Sequence, residues 1–101
     1  FLMNDTASVK VENLIMEETI VIYPNPFSSH LNVVINSRSM LDIRISLTDA
    51  AGKRVIDLKQ ALHEGENNIS LNTQHLSPSF YILSISGGKF TRAVPVIRLR
   101  E

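Results

Sequence analysis

The sequence predicts an all-β chain folded as an immunoglobulin-like β-sandwich of about seven antiparallel strands. Three observations carry that expectation: apolar residues alternate with polar ones from Leu31 onward, turn residues recur about every ten positions, and no segment beyond the opening stretch follows a helical period. A small open barrel is the competing architecture for the same pattern.

In order, residues 1–19 mix polar, charged and scattered apolar residues with no single period, and read as a linker following a preceding domain. Val11, Leu14 and Ile15 would allow one amphipathic helical turn, but Glu17 and Glu18 would oppose its dipole. A β-sandwich domain is expected over residues 20–101. It opens on the strand Ile20 to Tyr23, which runs into Pro24-Asn25-Pro26, where two prolines remove two backbone donors and force a stiff corner. Leu31, Val33 and Ile35 mark the second strand, and Leu41, Ile43, Ile45 and Leu47 the third, separated by turn residues Asn36 to Ser39. Asp49 to Lys53 is the next turn, with Gly52 free to take positive φ, and Arg54 to Leu58 is a short fourth strand. Gly65 to Asn68 reads as a turn before a short edge strand, Ile69 to Leu71, and Thr73 to Ser79 as a longer connection. Phe80 to Ile85 is the most apolar strand, with Tyr81, Leu83 and Ile85 facing inward, and Gly87-Gly88 provides a tight hairpin into Lys89 to Val94. Pro95 cannot donate to a ladder, so the final strand either lies at an edge or breaks there.

Composition narrows the function classes. A 101-residue chain that is 44% hydrophobic and 20% charged can bury one modest core. Ten basic residues balance ten acidic ones, so bulk charge gives no argument for nucleic acid or an anionic membrane. No apolar run approaches the roughly 20 residues of a membrane helix. The absence of cysteine excludes disulfides, a thiol nucleophile and thiolate metal sites in this chain. His30, His63 and His75 are too far apart for a local ligand motif and no nucleophile-elbow pattern occurs, so neither a catalytic residue, a metal site nor a cofactor is expected. Gly52 and Gly88 read as turn glycines rather than phosphate cradles. Lys89, Arg92, Arg98 and Arg100 make the last stretch basic. This reads as a solvated edge defended against strand pairing, or as a surface for an acidic partner.

An ordered set of short motifs adds a family resemblance. Ile22-Tyr23-Pro24-Asn25-Pro26, then Leu47-Thr48-Asp49 with Gly52-Lys53-Arg54-Val55, then Leu76 with Phe80-Tyr81-Ile82-Leu83, then Gly88-Lys89 with Thr91-Arg92, resembles the C-terminal sorting domain of type IX secretion cargo, over roughly Ile20 to Val94. The resemblance implies an address rather than a chemistry. It points to a domain that directs its parent protein from the periplasm through an outer-membrane translocon to the cell surface. A translocon or shuttle protein and a sortase-like protease would be its partners, with cleavage in the leader and transfer of the cargo to anionic lipopolysaccharide. The recognition residues it implies are Tyr23, Pro24, Asn25, Pro26, Gly52, Lys53, Leu76, Tyr81, Gly88, Lys89 and Arg92. An edge-strand dimer is a further expectation in isolation. The chain departs from the family pattern at Ser79, where a glycine is usual, and in continuing beyond Arg92 through Ala93 to Glu101. Those departures fit an alternative in which the domain is a retained, uncleaved interaction module of the surface attachment machinery, binding anionic lipopolysaccharide.

Overall fold

The computed structural model describes residues 18–88 and 90–100. Seven strands follow one another: β1 (Glu18–Tyr23), β2 (His30–Ser37), β3 (Leu41–Asp49), β4 (Arg54–Leu62), β5 (Gly65–Asn72), β6 (Ser79–Gly87) and β7 (Phe90–Arg98). They form a three-stranded sheet, β1-β2-β5, and a four-stranded sheet, β4-β3-β6-β7, with every neighbouring pair antiparallel. The two sheets face each other as a sandwich, and the barrel is not formed. The helical turn considered around Val11 to Glu17 lies outside the described residues, and β1 begins at Glu18.

The core follows from the two-residue alternation. Leu31, Val33 and Ile35 of β2, Ile43, Ile45 and Leu47 of β3, and Tyr81, Leu83 and Ile85 of β6 are buried, and Ile69, Leu71 and Val96 join them from β5 and β7. Removing each large aliphatic side chain from water stabilises the fold by about 1.5–3 kcal/mol. The outward rows are polar or half-exposed, as expected of a sheet with one wet face.

Three elements differ from the expected boundaries. β4 runs on past Leu58 to Leu62, because β3 offers partners along its whole length and Leu41 pairs with Leu62. Its propensity alone does not favour this; the ladder does. β5 begins at Gly65, so Glu66, Asn67 and Asn68 are strand rather than turn. Asn67 is buried, and its amide donates to the carbonyls of Ile35, His63 and Gly65 while accepting from the N–H of His63. The polar residue that suggested a turn is thus a strand residue that fastens the turn before it. Finally, β7 continues unbroken through Pro95, which stands opposite Ile82, to Arg98. Pro95 survives there because β7 is an edge strand.

The hairpin between β6 and β7 places Gly87 opposite Phe90, so Gly87 belongs to the strand and Gly88 begins the turn; Lys89 lies outside the described residues. Gly88 adopts φ +55, as a turn of this kind demands. Gly87 serves a different need. A Cβ there would lie 2.6 Å from Cγ2 of Ile43 and 2.8 Å from the backbone oxygen of Asp42. On the outer face of the four-stranded sheet, Arg44 grips Asp57 through Nε and Nη2 at 2.9 and 3.0 Å, and Arg54 approaches the same carboxylate at 3.4 Å. The hydrogen bond from Arg44 holds the Asp57 carboxyl below its ordinary range.

Two outcomes follow. Gly87→Ala meets backbone that cannot give way and is expected to lose about 2 kcal/mol of stability. Gly52→Asn, at φ +88 with open space around it, meets no clash but strains the backbone, and is expected to lose about 1 kcal/mol, less than Gly87→Ala, because Asn is among the residues that visit the left-handed region. Urea unfolding of both variants checks the contrast. For Asp57, a folded-state value below the unfolded one of about 3.9 means that its contribution is present above that pH and fades as pH falls through the folded value. The gap between the parent's unfolding midpoint and that of Asp57→Asn should therefore be constant near neutrality and close between about pH 5 and about pH 2.

Candidate recognition surface

The first strand and the last are joined by the segment that crosses between the sheets. After Tyr23 the chain leaves the three-stranded sheet through Pro24-Asn25-Pro26, with both X-Pro peptides cis, and reaches the outer edge of β7 at Phe27. There Phe27 runs parallel to the last strand: its N–H donates to the carbonyl of Ile97 at 2.8 Å and its carbonyl accepts from the N–H of Leu99 at 2.7 Å. One step earlier, the side-chain amide of Asn25 continues the same ladder. Its Nδ2 donates to the carbonyl of Pro95 at 3.3 Å, and its Oδ1 accepts from the N–H of Ile97 at 3.1 Å. Neither flanking proline has an N–H to offer, so a carboxamide, with one donor and one acceptor, replaces the missing peptide group.

Two side chains secure this arrangement from the inside. Phe27 is 1% exposed and packs its ring against that of Tyr81 at 6.3 Å between centroids, and the Tyr81 hydroxyl donates to the carbonyl of Ser77 at 2.6 Å. A tyrosine bonded to the backbone just upstream of its own strand resembles the tyrosine corner of immunoglobulin-like sandwiches. Thr73, fully buried, donates its hydroxyl to the carbonyl of Ser28 and its N–H to that of Ser29, and its carbonyl accepts from Nε of Arg98 at 3.0 Å. Arg98 is therefore a buried tie between β7 and the Thr73 loop. It does not belong to the solvated basic edge expected for Lys89, Arg92, Arg98 and Arg100. Its charge is met by two backbone carbonyls, those of Thr73 and Leu99, whose dipoles accept its N–H groups.

The edge of the last strand is therefore closed over its final half. By the same alternation, the outward-facing groups of Ala93 and Thr91, two and four residues before Pro95, meet no strand among the described residues, and this strip of β7 remains available. Beside the clamped half, Phe80 and Ile97 oppose each other across β6 and β7 and are 47% and 45% exposed.

The residues singled out from sequence fall into separate groups. Tyr23 is exposed at the end of β1, and Pro24, Asn25 and Pro26 form the crossover. Gly52 sits at φ +88 in the β3–β4 turn, where Oδ1 of Asp49 accepts from the N–H groups of Ala51 and Lys53. Lys53, Leu76 and Tyr81 converge on one groove of about 520 Å³, which Asp49, Arg54 and His75 also line. Leu76 and Tyr81 are core residues, so only part of each reaches the groove. Gly88 lies at the far end of the sandwich against Leu41, Arg92 is half-buried in the inward row of β7, and Lys89 is outside the described residues. Sequence reading missed Phe27 and Thr73, and it took Arg98 for a solvated residue. An aromatic directly after a proline corner was the one available signal for Phe27; the other two depend on partners 25 or more positions away. Among the described residues, no three of His, Cys, Asp and Glu gather to hold a metal ion.

These features define a class: a small immunoglobulin-like sandwich whose last strand is held by a crossover from the first and is left half-open at its edge. The family model described as the secretion system C-terminal sorting domain matches residues 21–97, and the chain belongs to that family, the sorting signal of type IX secretion. A comparison with curated proteins finds no match. The family is a sorting signal rather than a catalytic domain; it is recognised by the type IX machinery and implies export to the cell surface. The match reaches Ile97, and the stretch beyond Arg92 that departs from the usual ending is β7 itself, with Val96 fully buried. Its length is a structural requirement of this sandwich, and nothing in the match favours a retained attachment component.

Replacing Asn25 with Ala removes two hydrogen bonds that water can partly supply, so the expected loss is about 1 kcal/mol by urea denaturation. Asn25→Asp keeps the acceptor for Ile97 but turns an oxygen toward the carbonyl of Pro95, and should be at least as damaging. Midpoints equal to the parent's would show that the side chain does not hold the edge.

Proposed function

We propose that this domain carries its parent protein across the outer membrane through the type IX translocon, engaging a shuttle or translocon component with the end of its last hairpin. The observation that carries this reading is the family match over residues 21–97. A half-open β7 supports it: Thr91 and Ala93 present unpaired backbone groups that a partner can extend by strand addition, while the Asn25 clamp fixes the remainder. Gly88 sets the hairpin that shapes this edge, and Arg92 follows on β7; Lys89 is the further basic candidate from the sequence. On the same reading, the linker in which a sortase-like protease separates cargo from address, before transfer of the cargo to anionic lipopolysaccharide, lies within residues 1–19 ahead of β1, and the strands from β1 onward act as one sorting unit.

The test places the whole 101-residue chain behind a periplasm-directed reporter in a host with the type IX machinery. The expected result is reporter on the cell surface, accessible to added protease, and shortened by about the 11.3 kDa of this chain. Reporter confined to the periplasm at full length contradicts the proposal.

A further inference from the structure

We propose that the groove at the β3–β4 end of the sandwich docks an acidic, partly apolar peptide segment of a protein partner; on the sorting reading, which this inference deepens and rests on, that partner belongs to the export machinery. The groove is a built feature. Its floor is formed by the outer surfaces of Leu76 and Tyr81, and its walls by the β3–β4 turn on one side and the loop before β6 on the other. Both walls are fixed by their own hydrogen bonds. The N–H of Asp49 donates to the carbonyl of Lys53 at 2.8 Å and its carboxylate takes two N–H groups of the turn, while the loop is held by Tyr81 on Ser77 and by the N–H of Leu76 on Thr73. A partner thus meets a preformed surface and loses little affinity to ordering it.

Charge decides what fits. The cations Lys53 and Arg54 line the groove against one acid, Asp49, whose Oδ1 is already occupied by two backbone donors. Arg54 touches a described carboxylate only at Asp57, 3.4 Å away, and Asp57 is committed to Arg44 at 2.9 and 3.0 Å. No described carboxylate forms an ion pair with Lys53. Lys53 and Arg54 therefore retain donors for incoming carboxylates, and such complementarity favours an acidic partner. The chain's zero net charge argues against a nucleic acid, which needs a wide basic field. An open groove with a mostly polar rim and only the edges of Leu76 and Tyr81 at its base takes an extended chain better than it encloses a small molecule. The three basic and apolar positions read from the sequence, Lys53, Leu76 and Tyr81, thereby acquire a common purpose although they lie on different segments.

The experiment is an NMR titration of the 101-residue protein with a blocked hexapeptide of alternating glutamate and leucine, and with its lysine–leucine counterpart. Expected are amide shifts confined to residues 49–55 and 75–81 with the acidic peptide and not with the basic one. The Lys53→Glu/Arg54→Glu variant, altered only at exposed positions, should bind about tenfold more weakly. Lys59→Glu, outside the groove, should stay within about twofold of the parent. Shifts that are absent, that fall elsewhere, or that survive the double reversal overturn the inference. Because the titration contains no export machinery, its failure is distinct from a reporter that stays in the periplasm.

Discussion

Where the chain passes from one sheet to the other it has two prolines and so lacks two N–H groups, yet it must pair with the edge of the last strand. Asn25 resolves this by offering its side-chain amide as a peptide surrogate, and Phe27 completes the ladder with its own backbone. Much else depends on that seam. It brings the Phe27 ring onto Tyr81 and places Ser28 and Ser29 on Thr73, which in turn receives Arg98 from the strand being held. The start and end of the domain, some 70 positions apart, are thereby locked into one interdependent cluster. In a domain of this size, loss of one member leaves buried polar groups on the others without partners, a cost of about 1–3 kcal/mol each.

The same seam bears on sorting. An edge strand with unpaired backbone groups invites association, and a protein that traverses the periplasm must limit that exposure while still presenting something to its receptor. Here the limit is drawn between Ala93 and Pro95: ahead of it no described residue pairs with the edge, beyond it the edge is occupied. Pro95 stands at the border, with no N–H to leave unsatisfied and a carbonyl accepted by Asn25. On the proposed reading, the bare strip near the β6–β7 hairpin, the exposed Phe80–Ile97 pair and the basic groove at the β3–β4 end are separate surfaces available to the machinery. Specificity then comes from the combination, since none of them is distinctive alone.

How much of this could be read from the residues depends on the range of the interactions involved. The strands were legible because alternation is local: Leu31, Val33 and Ile35 or Tyr81, Leu83 and Ile85 declare a buried face within six positions. Asp49 to Lys53 was legible as a turn for the same reason. Asn67 misled, since an asparagine in a strand and one in a turn look alike until the carbonyls around it are placed. Arg98 misled too, because a basic residue near a chain's end is ordinarily solvated and its two carbonyl partners are set by the fold. Tyr23 to Pro26 was recognisable as a stiff corner, but what the corner holds, the edge of β7, could not be inferred from the corner. Likewise Lys53, Leu76 and Tyr81 were individually visible, while their meeting in one groove is a consequence of the sandwich closing.

The most direct test of the central claim is residue-resolved amide hydrogen exchange along β7 under native conditions. If Asn25 and Phe27 close the later half of the edge, the amides of Ile97 and Leu99 exchange slowly, while those of Thr91 and Ala93 exchange quickly on the same strand. Equal, fast exchange at all four positions would show that the crossover does not clamp the strand, and the account built on that seam would fall.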